Sequence, residues 1–203
     1  MKNLKNIVLI FSVFIIACTR NISVIEGTLS SDRYDSEVVY WVPFKDASSE
    51  TVDSGHIKKN TFRIVISDYN RGKMGIVRVR PQFRLGLQEI LVIAEAGTVN
   101  VHLDSLSRAT GTPLNETLQY WKDRKRTYDV DIYMLRRKYR DASENEQPSI
   151  SSEMENTSAE YYNDVYQIVV ENKDNEVGKF IYSLHKGRFT QEQNEKLMNF
   201  QLE

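Results

Sequence analysis

Glu89–Leu118 reads EILVIAEAGTVNVHLDSLSRATGTPLNETL, and the order of patterns inside it sets the architecture. Ile90, Leu91, Val92, Ile93 and Ala94 form an unbroken apolar run, which suits a strand buried on both faces. Ala96-Gly97 offers a tight turn, because glycine takes a positive φ without steric cost. Val99, Val101 and Leu103 then alternate with Thr98, Asn100 and His102, the period of a half-buried strand. A polar link follows over Thr110–Asn115. Thr112 is expected to cap a helix whose first position is Pro113, where a missing N–H costs nothing, and Glu116 complements the helix dipole. The stretch is a seam, with sheet before it and helix after it.

Upstream, Asn21–Phe83 carries strand-like segments and no helical period. Val38–Phe44 is aromatic and β-branched, Phe62, Ile64 and Ile66 alternate with Arg63, Val65 and Ser67, and Ile76, Val77 and Val79 form a further run. Gly27 marks a bulge or a close approach. Ser30-Ser31-Asp32, Asp53-Ser54-Gly55 and Asn70-Arg71-Gly72 read as turns between strands. Short strands at this spacing imply an antiparallel β-sandwich or open barrel.

Downstream, Leu114, Leu118, Trp121, Tyr128, Ile132, Leu135 and Tyr139 draw a heptad-type stripe along one long helix, Leu114–Asp141. Glu144–Pro148 breaks it, and Glu153–Glu171 reads as a second helix bearing Met154, Tyr161, Tyr162, Val165, Ile168 and Val169. The short link implies an antiparallel hairpin, with Tyr120, Tyr161, Tyr162 and Tyr166 packing it. Charge agrees: Leu114–Asp141 holds eight Lys/Arg against five Asp/Glu, while Glu144–Glu176 holds nine Asp/Glu against one Lys. Val177–His185 reads as a third helix, ended by Lys186-Gly187. Thr190 with Gln193 forms a capping box for a last helix carrying Leu197 and Phe200. The fold class expected is α+β: residues 18–111 as the β domain, residues 112–203 as a helical region.

Residues 1–17 read as a signal peptide. Lys2 and Lys5 give a positive start, and Ile7–Ala17 is an apolar stretch too short to span a bilayer. Ile15-Ile16-Ala17-Cys18 resembles a bacterial lipobox, and Cys18 is the single cysteine of the 203 residues. By that resemblance Cys18 is the diacylated and N-acylated first residue of the mature protein, since two or more acyl chains give stable anchoring. No acidic run follows Thr19 and Arg20, so the periplasmic face of the outer membrane is the expected address. One cysteine allows no intrachain disulfide, no CxxC pair and no cysteine zinc site.

The pattern E-x-G-x-V-x-V-x-L-D over Glu95–Asp104, followed by G-T-P-L-N-x-x-L over Gly111–Leu118, resembles the DUF4369 domain. That domain precedes a thioredoxin-like domain in many lipid-anchored thiol–disulfide and AhpC/TSA-type proteins of the Bacteroidetes. The likeness covers about Ile22–Leu118, and Asn172–Phe180 (NKDNEVGKF) resembles a later motif of the same proteins. The resemblance implies an architecture. Its redox activity is not carried over, because no CxxC follows the helices and the only thiol is expected to carry lipid.

Other chemistry is thin. His56, His102 and His185 show no metal-ligand spacing, and Asp129 and Asp131 point to different faces of a helix, so neither a metal, a cofactor nor a catalytic set is expected. The basic cluster around Lys122–Arg126 and Arg136–Arg140 is expected to meet the acidic second helix, and a net charge of −1 argues against nucleic acid as a partner. Strand aromatics Tyr40, Trp41 and Phe44, with Trp121 and Tyr128 on the long helix, are the candidate binding surface. The functional expectation is a lipid-anchored periplasmic binding or interaction module without catalysis of its own. The alternative is an accessory half of a thiol–disulfide system that docks a separate thioredoxin-like protein.

Overall fold

The computed structural model describes residues 22–79 and 89–199. Residues 1–21, which include the expected signal peptide and Cys18, the end of the upstream sheet region at Phe83, and Phe200 lie outside the described residues. Strands β1 (Ser23–Leu29), β2 (Val38–Pro43), β3 (Asp53–His56), β4 (Thr61–Val65), β5 (Met74–Val79), β6 (Ile90–Ile93), β7 (Gly97–Leu103) and β8 (Arg108–Thr110) precede helices α1 (Pro113–Asp141), α2 (Gln147–Glu171), α3 (Glu176–His185) and α4 (Gln191–Asn199). The strands form two four-stranded sheets, ordered β4-β1-β7-β8 and β3-β2-β5-β6, that pack face to face. They make a sandwich and do not close into a barrel. Every pairing among the named strands is antiparallel except β1 with β7, which run parallel from Ser23↔Gly97 to Leu29↔Leu103. A parallel pair needs a long crossover, and the whole second sheet supplies it.

Two cores meet at strands β5 and β6. Ile25, Ile64, Val99 and Leu103 face Val39, Trp41, Val77 and Val92 in the sandwich interior. Met74 and Ile93 instead join Leu118, Trp121, Val165 and Ile181 in a core under the helices. Along β6, Ile90 and Val92 serve the first core, whereas Leu91 and Ile93 serve the second. That double duty is why Ile90–Ala94 has no polar alternation.

The first turns of α1 lie on the rim formed by β6 and β8. Asn115, fully buried, accepts from the Ile93 N–H through Oδ1 and donates to the Ile93 carbonyl through Nδ2, both at 2.9 Å. Gln119 Oε1 accepts from the Ala109 N–H of β8 at 3.0 Å, and Lys122 Nζ donates to the Leu91 carbonyl at 3.2 Å. The spacing 115, 119, 122 places all three on one helix face. Thr112 takes the extended cap conformation, with Pro113 in the first turn. Its hydroxyl receives the Asn115 amide at 2.8 Å instead of capping the helix, and Glu116 accepts from the Gly111 N–H at 2.8 Å.

Several expectations are corrected. Asp53-Ser54-Gly55 is strand β3 and not a turn; Gly55 is there because a Cβ would overlap the Arg63 backbone of the neighbouring strand. Ala96-Gly97 does not close a hairpin. Gly97, at φ +108°, carries the chain from one sheet to the other. β8, three residues long, was too short to show a period. α2 starts at Gln147, six residues earlier than expected, because Pro148 is harmless in a first turn. α3, by contrast, ends at His185 as read, and a 3-10 turn over Lys186–Arg188 follows it.

The hairpin itself forms as read. Arg124 bonds Asp164 and lies 3.7 Å from Glu160, and Lys138 lies 3.3 Å from Glu153. Tyr161 is buried, but Tyr120 is largely turned to solvent and is not part of the core under the helices. The Thr190–Gln193 capping box is reciprocal, with the two backbone N–H groups donating at 2.8 and 3.2 Å.

Candidate binding cleft

β2 ends at Pro43, and the Phe44 N–H donates to the Met74 carbonyl at 2.9 Å, so residue 44 continues alongside β5. Its ring, 48% exposed, meets Phe180 of α3 edge to face at 5.6 Å and 87°. α3 is aimed by its own start: Asn175 Oδ1 accepts from the N–H groups of Val177 and Gly178 at 3.0 and 3.1 Å. Gly178 lies against the Asn172 backbone, where a Cβ would collide. The stretch Asn172–Phe180 therefore seats Phe180 against the sheet.

Between the β2–β3 loop, the β4–β5 turn and α3 opens a cleft of about 660 Å³. Met74 and Phe180 give it an apolar base, while Lys45, Arg71, Lys73 and Lys179 stand around it with Asp46 and Glu176. Its two loops are wired to each other. Asn70, almost fully buried, donates through Nδ2 to the Thr51 carbonyl at 2.7 Å and to Asp53 Oδ2 at 2.8 Å. Ser48 N–H donates to Thr51 Oγ1 at 2.8 Å, and Gly72, at φ +77°, donates to the Ala94 carbonyl at 2.7 Å. The cations have modest partners: Arg71 bonds Asp68, Lys179 lies 3.6 Å from Glu176, and Lys73 Nζ sits 3.3 Å above the Tyr69 ring centre. Lys45 has no ion pair among the described residues.

The residues singled out from sequence land in different places. Phe44 is on the cleft. Trp121 lies one layer below, buried and edge to face with Phe180 at 5.9 Å. Trp41 is a correction: the alternation of β2 turns it into the sandwich interior with no exposed surface, across Gly75, so it offers nothing to a ligand. Tyr40 is half-buried on the outer face of its sheet, beside Arg78 in a shallower groove. Tyr128 stacks on Tyr161 at 4.2 Å and shares a 3.2 Å hydrogen bond with Ser158, so it packs the hairpin. Phe180, Lys45, Arg71 and Lys179 went unread as site residues. Only tertiary pairing brings a strand end, a turn and a helix 100 residues later together.

Elsewhere, the histidines sit in β3, in β7 and at the end of α3, and no group of three metal-ligating side chains converges among the described residues. Asp129 pairs with Lys125 at 2.6 Å. Thr28 Oγ1 lies 2.7 Å from His102 Nδ1, whose Nε2 lies 3.5 Å from Asp104. This hydroxyl–imidazole–carboxylate chain was invisible in the sequence, since it depends on the parallel register Thr28↔His102. It lies on an open sheet face where β1 and β7 are paired on both sides, so the amides of these two strands are engaged in the sheet. His185 is buried against Trp121, Tyr161 and Tyr162. Burial first, then the charges of Lys125 and Arg188, hold its imidazole below the ordinary range.

No protein-family model, no curated protein and no solved structure matches this chain.

Proposed function

We propose that this chain is a lipid-anchored binding module of the bacterial envelope, of the DUF4369 type, without catalysis of its own, and that it takes its ligand in the cleft at Phe44 and Phe180. The observation that carries the reading is the cleft itself. Its volume of about 660 Å³ falls within the range of small-molecule sites, roughly 300–1,000 Å³, and it combines an apolar base with a few charged groups. The wiring through Asn70 and Thr51 favours a preformed site, which lowers the ordering cost of binding. Ser183 lines the cleft, but its hydroxyl donates to the Phe180 carbonyl at 2.7 Å. Among the described residues no helix is long and apolar enough to cross a membrane. Attachment in this reading comes from acyl chains on Cys18, facing the periplasm from the outer membrane.

Three measurements test it. Cells fed labelled palmitate should label the protein, and Cys18→Ser should abolish the label and release the protein from the membrane fraction. A fragment screen by NMR should move the amide resonances of Phe44, Gly72 and Phe180. An unlabelled wild-type protein refutes the anchor; turnover of any screened hydrolase or oxidoreductase substrate by the pure protein refutes the non-catalytic reading.

A further inference from the structure

We infer that the ligand class of the Phe44–Phe180 cleft is an organic anion with a flat apolar group, such as an aryl phosphate or an aryl carboxylate. The inference rests on the cleft being the binding site, as proposed above.

Charge gives the first half. Four cations and two carboxylates line the cleft, in a chain whose formal net charge is −1. The local excess of positive charge therefore runs against the average of the molecule. It is also assembled from three separate segments: Lys45 from the β2–β3 loop, Arg71 and Lys73 from the β4–β5 turn, and Lys179 from α3. Fields from walls facing one another add in the space between them. The pairs these cations make inside the protein lie at the surface, Lys179 standing 3.6 Å from Glu176, and Lys45 has none among the described residues. An incoming phosphate or carboxylate would form charge-assisted hydrogen bonds with Lys45 and could share the cations that already meet Asp68 and Glu176. A neutral ligand would desolvate the ammonium groups and give nothing back, and a cation would be repelled.

The rings give the second half. Phe44 keeps about half its surface in solvent: just past β2, it is in phase with Tyr40 and Val42 on the outer face and opposite in phase to the buried Val39 and Trp41. It is held edge to face on Phe180, which is backed in turn by Trp121, so the ring is a fixed apolar wall. A third ring can add to such a cluster in the offset or edge geometry that aromatic groups prefer. The fixed wall and the cations border the same 660 Å³.

The test titrates the full-length protein, in a zwitterionic detergent, with four probes: phenylphosphonate, inorganic phosphate, benzyl alcohol and phenyltrimethylammonium. Phenylphosphonate should shift the amides of Phe44, Gly72 and Phe180 and bind at least about tenfold tighter than each of the other three. The double variant Lys45→Glu/Lys179→Glu, both residues exposed, should weaken phenylphosphonate by about tenfold or more, and the loss should shrink at high salt as screening sets in. Phe44→Ala should weaken phenylphosphonate and leave inorganic phosphate unchanged. Equal or tighter binding of benzyl alcohol or the trimethylammonium probe in the cleft overturns the anionic class while leaving a binding cleft. Equal binding of inorganic phosphate overturns the apolar part. Cleft resonances unmoved by all four probes overturn both this inference and the cleft as a binding site.

Discussion

Asn115→Leu is the most telling single change available in this fold. The Asn115 carboxamide is fully buried and makes three hydrogen bonds, two of them to the N–H and carbonyl of Ile93 at 2.9 Å. It takes the place of a further strand beside β6. Leucine keeps the branching at Cγ but its methyl groups are bulkier than the carboxamide, so some overpacking adds to the loss. The main loss is that the Ile93 N–H and carbonyl are left in the interior without partners, at about 1–3 kcal/mol each, so the expected loss is about 2–6 kcal/mol. In urea the midpoint should fall by about 1–2 M with little change in slope. Asn115→Asp adds a test of sign. The introduced carboxylate would still accept from the Ile93 N–H but would face the Ile93 carbonyl, so its folded-state pKa should be raised above the ordinary carboxylate value. Relative to wild type, that variant should therefore be weakest at neutral pH and recover as pH falls through its folded pKa, when the protonated carboxyl can donate. A midpoint shift below about 0.5 M for Asn115→Leu, or no acid recovery for Asn115→Asp, would show that the amide is not what closes this rim.

Lys122 is held with its pKa lowered to about 8, chiefly by burial, with Asp123 opposing the shift. Its ammonium therefore costs the fold up to about 3 kcal/mol below pH 8, a cost that fades as pH rises towards 10.5. Losing the bond to Leu91 offsets part of that, so Lys122→Met should stabilise by about 1–2 kcal/mol at pH 7 in urea titration and lose the advantage near pH 10.5. Gly75→Ala should destabilise by about 2–3 kcal/mol or more, read as a fall in Tm, because the new methyl would overlap the Trp41 ring in a packed interior. The imidazole of His185 has a folded pKa below its unfolded value of 6.5, so stability should fall as pH drops below that value; His185→Phe should flatten this slope in urea titrations across pH 5–7.

Much of the fold was legible because its largest signals are local. The β6 run, the β7 alternation, the stripe of α1 and the Thr190–Gln193 box each lie within a few residues, and each appears where it was read. The losses came where a residue serves a distant neighbour. Asp53-Ser54-Gly55 resembles a turn, but its glycine answers a close approach by Arg63. Trp41 resembles a ligand-facing aromatic until the pairing of β2 fixes which way it points. The parallel β1–β7 register, and with it the Thr28–His102 contact, has no local signature at all. The site was half legible: Phe44 and Trp121 were named separately, and Phe180, which joins them, carries its meaning only once Asn175 has set the direction of α3.

The placement of Asn115, Gln119 and Lys122 has a further consequence for how the chain must be made. Bare strand borders recruit strands from other molecules, and natural sheets need some device against it. Here the device is encoded after both strands it guards, so β6 and β8 are synthesised before the segment that shields them. Until that helix docks, each nascent copy is a template for the next. Proteolysis or truncation just past Gly111 should therefore yield polymers instead of a smaller monomer, and the opening turns of α1 act as the chain's own chaperone.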